Sequence, residues 1–167
     1  EAKGNRQRAK GNGYRKQDQK MLRADALKAD NNRLENAAEV AIADVPDVVL
    51  CSSSVRTRQT WEEAANGGAC GESIEYERGL YTGSVETALQ TVRDFGGESQ
   101  VLLVVGHNPT MATLASGLSE GDGSSVAHEC LAAGFPTSSL AVLRYAGPWA
   151  DLSFGTASLE RCHVSRG

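Results

Sequence analysis

Two short polar turns hold the residues best suited to chemistry, and each turn follows an apolar run. The first turn, Ser52-Ser53-Ser54, leads to Arg56, and the second is Gly106-His107-Asn108-Pro109. Hydroxyl groups and the unpaired N–H groups of a helix start suit an oxyanion when an arginine is close, because its guanidinium is a planar fork of donors. A glycine beside His107 lets the backbone approach a ligand closely. These residue types predict the binding of a phosphate-like anion.

Both turns also have an ordinary structural interpretation. A Ser-rich turn before a helix is usually a cap, and Arg56 or Arg58 can be an exposed helix charge. A single histidine after a strand is often a structural residue. The functional interpretation is favoured because both turns follow strands, and ligands of open α/β sheets bind outside the carboxyl ends of the strands.

The elements that must position these turns alternate between strands and helices. Continuous apolar runs predict buried strands at residues 48–51 and 101–105. Caps and helical periodicity predict helices over residues 24–41, 55–65, 85–95 and 110–118. A closing hairpin is predicted from residues 139–145 and 150–154. This alternation predicts an α/β fold with a mostly parallel sheet between helical layers.

Length and charge divide the chain into two parts. Its 167 residues and 40% apolar content suit one domain with one core, which we place at residues 24–167. Residues 1–23 hold eight basic and two acidic residues in a chain whose net charge is −4. A basic segment can contact nucleic acid or an acidic partner, but this polar composition is more typical of a solvated segment. Nucleic acid is therefore not the expected partner.

Cysteine spacing and hydropathy bear on location. The four cysteines, at positions 51, 70, 130 and 162, form no CxxC pair, so we expect reduced thiols and no metal site. The longest apolar run, residues 101–105, is far too short to cross a bilayer, and the first residues lack an apolar stretch typical of export. We expect a cytoplasmic protein without a membrane partner.

Several segments resemble the histidine phosphatase superfamily. Residues 48–62 (VVLCSSSVRTRQTWE) resemble its strand, Ser-rich turn and RAxQT helix, and residues 102–118 (LLVVGHNPTMATLASGL) resemble its second-histidine segment. Residues 135–140 (FPTSSL) and 149–152 (WADL) are similar to the small SixA-like branch of phosphohistidine phosphatases. The resemblance covers about residues 44–155 and implies a phosphoglycerate-mutase-like, three-layer αβα sandwich.

This resemblance implies phosphoryl transfer without a metal or other cofactor. In such enzymes a histidine of an N-terminal RHG or RHA motif attacks phosphorus, and a second histidine with arginines stabilises the equatorial charge. Arg56 matches the helix arginine and His107 the second histidine, with Ser52 beside them as a phosphate-binding hydroxyl. The implied substrate is a phosphorylated protein side chain, phosphohistidine above all, or a small phosphoester.

The N-terminal motif is where the sequence departs from the family pattern. Residues 1–20 contain no histidine and little apolar sequence, and Gln7-Arg8-Ala9-Lys10 stands at about the distance expected for Arg-His-Ala-Lys. In that alignment Arg8 replaces the nucleophile; a guanidinium that is always protonated can bind phosphate but cannot attack it. The departure also predicts the loss of a central strand.

A second departure concerns the acid that protonates the leaving group. Thr82 stands after Tyr81, where many relatives have an acidic residue, and Glu77 is the candidate substitute. Three hypotheses follow. The first is a SixA-like phosphatase, the second is a phosphate-binding module without turnover, and the third is that residues 1–23 are not the natural start. A well-buried first strand would support the third.

Overall fold

The computed structural model describes residues 19–25, 45–137 and 139–164, and for residues 19–25 it gives the backbone path. Its strands are β1 (Gln19–Asp25), β2 (Val48–Ser52), β3 (Ser73–Glu77), β4 (Val101–Gly106), β5 (Ser139–Tyr145) and β6 (Ser158–Val164). Its helices are α1 (Val55–Asn66), α2 (Gly79–Thr82), α3 (Val85–Gly96), α4 (Thr110–Ser119) and α5 (Ser125–Ala133), with a 3-10 turn at Trp149–Asp151.

The strands form one six-stranded sheet in the order β3-β2-β4-β1-β5-β6. The first four strands of this order are parallel to their neighbours, whereas β5 runs antiparallel to β1 and β6 antiparallel to β5. The mostly parallel sheet predicted from the alternation of elements is therefore confirmed. Because β2 and β4 are adjacent and parallel, the turns that follow them lie at the same edge.

Helices cover both faces of the sheet. On one face, Leu50 and Val104 belong to a core cluster that α3, α4 and α5 complete. On the other face, Val49 and Val105 pack in a second cluster with Trp61 of α1. Burying one large aliphatic side chain is worth about 1.5–3 kcal/mol, so alternating burial to both sides holds the central strands firmly. The three-layer αβα architecture is confirmed.

Strand β1 corrects the expectation that the central strand is lost. Its backbone pairs with β4 from Lys20↔Val101 to Asp25↔Gly106, and with β5 on its other side. Ladders on both sides satisfy the backbone N–H and C=O groups although the strand has few apolar residues. The strand also crosses the boundary predicted after residue 23, so residues 19–23 are part of the sheet. The helix predicted over residues 24–41 is wrong at residues 24 and 25, which belong to β1. Its remainder, like residues 1–18, lies outside the described residues.

The closing hairpin is formed by different residues from those predicted. β5 pairs with β6 at residues 158–164, not with residues 150–154. Trp149 is fully buried and begins a 3-10 turn, since its large ring is more stable in the core than on a strand edge. The segment between β5 and β6 therefore holds a 3-10 turn where a strand was predicted.

A disulfide corrects the expectation of four reduced thiols. Cys130 of α5 is bonded to Cys162 of β6, with their Cα atoms 6.0 Å apart. Cys51 is buried and Cys70 exposed, both as free thiols. The covalent bond fixes α5 against the edge strand.

Among the helices described, none combines the length and apolar composition that crossing a bilayer requires.

Candidate phosphate-binding site

The turn after β2 is fixed by hydroxyl groups that cap α1. Ser54 is the N-cap, and its Oγ accepts a hydrogen bond from the backbone N–H of Thr57. The buried Thr57 hydroxyl donates to the carbonyl oxygen of Ser52 over 2.8 Å. Together these bonds hold the first turn of the helix against the strand end. They place exposed Arg56 as the second residue of α1, where N–H groups without intrahelical partners also lie.

The turn after β4 is fixed by close packing and by an amide side chain. A Cβ atom on Gly106 would lie 2.6 Å from the sulfur of Met111, so only glycine fits there without movement. Asn108 accepts a hydrogen bond from Ala112 N over 3.2 Å and donates from its Nδ2 to the carbonyl oxygen of Phe135. His107 lies between these two anchored residues and is half-buried. Its ring is therefore positioned by a rigid backbone.

Arg56 and His107 line the same pocket, which has a volume of about 740 Å³. The other lining residues come from the same two turns and from two further segments: Ser54, Val55, Thr57, Tyr81, Asn108 and Thr137. The two residues are separated by 51 positions in the sequence and are brought together because β2 and β4 are adjacent. The structure thus unites the pair that the sequence singled out.

Tyr81 and Thr137 are pocket residues that sequence reasoning did not select. Tyr81 lies on the short helix α2, with its ring centroid 6.0 Å from that of His107 and an interplanar angle of 65°. Thr137 belongs to the FPTSSL segment that carried part of the resemblance. The resemblance of that segment to the family could have pointed to Thr137. Tyr81 was named only as the residue that precedes Thr82.

The other predicted site residues lie elsewhere. Ser52 is fully buried, its Oγ accepts a 3.4 Å hydrogen bond from Ser54 N, and it does not line the pocket. Glu77 ends β3, where its carbonyl oxygen accepts from Ser53 N over 3.1 Å, and it is not a lining residue either. Arg8 lies outside the described residues. The roles assigned to these three residues stay predictions.

The charge of the pocket favours an anion. Within residues 45–137 and 139–164, the lining includes a guanidinium and an imidazole but no carboxylate. Arg56 has no ion pair with any residue of those ranges. No group of three or more His, Cys, Asp or Glu side chains in the same part of the chain is arranged to hold a metal ion. The site therefore presents free donors to a negatively charged ligand.

Comparison by sequence identifies mycobacterial relatives. A Mycobacterium tuberculosis protein of uncharacterized function is 41% identical over 121 residues, which is 72% of this chain and 74% of the relative. A Mycobacterium leprae protein, also uncharacterized, is 30% identical over 118 residues, covering 71% of each chain. The chain belongs to one family with these proteins. No family model matches it.

Solved structures identify the wider group. A Nakamurella multipartitia protein described as the phosphohistidine phosphatase SixA is 27% identical, with a TM-score of 0.71 over 89% of this chain and 96% of that one. Its counterpart from Agrobacterium tumefaciens is 25% identical, with a TM-score of 0.63 over 88% and 99%. The chain is a member of the histidine phosphatase superfamily. Its fold is also that of the protein histidine phosphatase SixA complexed with tungstate, which is 17% identical with a TM-score of 0.64 over 86% and 96%.

Superfamily membership makes the carboxyl end of β1 informative. Asp25 is in register with Gly106, so β1 ends beside the His107 turn. The family pattern has an apolar strand running into Arg-His, and β1 has Arg23-Ala24 at its carboxyl end with no histidine in Gln19–Asp25. Arg8 lies outside the described residues, and its place opposite the family's nucleophile stays a prediction. Within the described strand, an alanine follows the arginine.

Proposed function

We propose that this protein is a SixA-like phosphatase that binds and hydrolyses phosphohistidine or a small phosphomonoester in the pocket of Arg56 and His107. One observation carries the proposal: a guanidinium and an imidazole from separate strand–helix turns line a single pocket without a carboxylate among the described lining residues. Membership of the histidine phosphatase superfamily supports the chemistry assigned to that pocket.

Binding uses three kinds of donor. The Arg56 guanidinium matches the geometry of two phosphate oxygens, and bonds of this charged kind are about twice as strong as neutral ones. His107 contributes a ring N–H, or a full positive charge when protonated. The N-terminus of α1 adds unpaired N–H groups and the positive end of the helix dipole. These donors all favour a doubly charged phosphoryl group.

Hydrolysis needs charge stabilisation more than covalent assistance. In the transition state the phosphoryl charge is spread over three equatorial oxygens, which Arg56 and His107 would neutralise. Water then attacks phosphorus as the bond to the leaving group breaks, and the leaving group takes the proton that the attacking water loses. Phosphohistidine suits a pocket whose described lining holds no acidic residue, because imidazole is a better leaving group than an alkoxide.

A second candidate function is phosphate binding without turnover. It is favoured by β1, which contains no histidine at the edge shared with the His107 turn. The chain has three histidines in total, and the other two, His128 and His163, lie outside the pocket lining. A protein of this kind would recognise a phosphorylated partner through Arg56 and His107 and leave it intact.

The test measures binding and turnover separately. Binding of inorganic phosphate and of tungstate, another tetrahedral oxyanion, is measured by calorimetry. Turnover is measured with a histidine-phosphorylated peptide and an aryl phosphate. We expect Arg56→Ala and His107→Ala each to weaken phosphate binding by about tenfold or more, since a hydrogen bond to a charged group is worth about 1.5–3 kcal/mol.

Matched controls are available on the same elements. Arg58→Ala removes a guanidinium two residues further along α1, where it stacks 4.5 Å from the Tyr76 ring centroid. His163→Ala removes an exposed histidine from β6. If the pocket variants bind phosphate as tightly as these controls, the proposal is wrong. If binding depends on Arg56 and His107 but neither substrate is hydrolysed, the second candidate replaces the first.

A further inference from the structure

The pocket is larger than a phosphoryl group requires. Its volume of about 740 Å³ lies in the range of about 300–1,000 Å³ that accommodates small organic ligands. A phosphate bound at Arg56 and His107 would leave space beside it. The residues around that space therefore bear on which group carries the phosphate.

Tyr81 presents a ring at the side of this space. Its side chain is 52% exposed, and no other described residue accepts from or donates to its hydroxyl. The ring meets that of His107 at an angle of 65°, which is an edge-type contact, so the two rings are not stacked in parallel. An exposed aromatic ring next to a phosphate-binding histidine can pack against a flat ring of a bound ligand.

The backbone below Tyr81 is anchored. Leu80, the preceding residue, is 1% exposed and belongs to the main core. Tyr81 N donates to Arg78 O over 2.9 Å, and Gly83 N to Gly79 O over 3.0 Å. A Cβ atom on Gly83 would lie 2.3 Å from the Gly79 oxygen, so this turn is tightly packed. Tyr81 is held in place by these contacts, not by side-chain bonds of its own.

We propose that Tyr81 determines specificity by stacking on the group that carries the phosphoryl, and that the site prefers a phosphoryl attached to a flat ring over one attached to a saturated group. This inference rests on the proposed phosphate binding by Arg56 and His107. It adds a contact made by the leaving group itself. Offset or edge-to-face contact between rings adds affinity beyond that of the buried area.

Phosphonates test the inference without interference from hydrolysis. Phenylphosphonate and cyclohexylphosphonate have similar size and charge but differ in flatness, and inorganic phosphate lacks the ring. We expect phenylphosphonate to bind about three- to tenfold more tightly than cyclohexylphosphonate. Tyr81→Leu should abolish this difference, and measurable binding of inorganic phosphate by the same variant would show that the site of Arg56 and His107 is still formed. Tyr81→Phe should preserve the difference, because it keeps the ring.

Tyr76→Ala is the matched control, since Tyr76 is 40% exposed and does not line the pocket. It should preserve the preference for phenylphosphonate. If phosphate binds but the two phosphonates bind equally, or Tyr81→Leu retains the preference, the inference is wrong while the proposed function stands. If neither phosphate nor any phosphonate binds, both are wrong.

Discussion

The indole Nε1 of Trp149 donates a hydrogen bond to the carbonyl oxygen of Ser99 over 2.6 Å. The ring is fully buried, and a Cβ atom on Gly96 would lie 2.4 Å from it. We expect Gly96→Ala to lower the free energy of unfolding by about 1–3 kcal/mol through overpacking.

Trp149→Phe should lower the free energy of unfolding by about 1–3 kcal/mol or more, because the Ser99 oxygen loses its donor. Urea denaturation measures both, and an unchanged transition midpoint in either variant would contradict this packing.

The end of β1 can be tested by adding the missing imidazole. Ala24→His restores the Arg-His pair of the family pattern beside the His107 turn. If the present chain binds phosphate without a nucleophile, the variant should hydrolyse an aryl phosphate at least about tenfold faster, a barrier change of about 1.4 kcal/mol. Ala24→Asn is the control, because an amide of similar polarity does not attack phosphorus. Equal rates in the two variants would show that residue 24 is not the position of the nucleophile.

Alkaline pH should weaken the fold through a buried thiol. Burial raises the pKa of Cys51 from 9.0 to about 12. Between these values the unfolded chain releases a proton that the folded protein retains, so the free energy of unfolding should fall as the pH rises from 9.0 to about 12. Burial also raises the pKa of Tyr145, which acts in the same direction. Denaturation at several pH values gives the free energy of unfolding as a function of pH. Above pH 9.0 this free energy should fall less steeply for Cys51→Ala than for the unmodified chain, and identical slopes would contradict the raised pKa of Cys51.

The bond between Cys130 and Cys162 should contribute measurably to stability. It closes a loop of 32 residues between α5 and β6, and cross-links of this span are worth about 2–4 kcal/mol. When the protein is unfolded without reductant, thiol counting by mass spectrometry should find two reactive cysteines. After reduction it should find four. The double variant Cys130→Ala/Cys162→Ala should denature at lower urea concentration. Four free thiols without reductant would contradict the pairing.

Sequence predicted the parts of the fold that burial dictates. The apolar runs at residues 48–51 and 101–105 are covered on both faces, so their composition alone identifies them as central strands. The turns at Arg56 and His107 follow directly from those strands, and adjacency in the sheet brings them together. The apolar strands, together with the rule that ligands of open α/β sheets bind outside the carboxyl ends of the strands, were therefore enough to predict that Arg56 and His107 share a pocket.

Strand β1 could not be predicted in the same way. Lys20 and Arg23 flank its short apolar pair, and pairing with β4 and β5 overrides the local composition. Tyr81 was missed for a different reason. It lies on a four-residue helix, too short to show any periodicity, and its proximity to His107 depends on tertiary packing. Neither the pairing of β1 nor the position of Tyr81 beside His107 can be predicted from a short stretch of sequence.

The position of β1 in the sheet has a consequence for folding during synthesis. Its two neighbours are residues 101–106 and 139–145, so the ribosome must deliver most of the chain before this early strand finds either partner. Contacts between residues so distant in sequence form slowly, because a long loop must close first. Until β1 pairs, β2, β3 and β4 can form a parallel unit, and β5 and β6 can form a hairpin once they are synthesised. In the completed sheet β1 joins these two parts, because it pairs with β4 on one side and with β5 on the other.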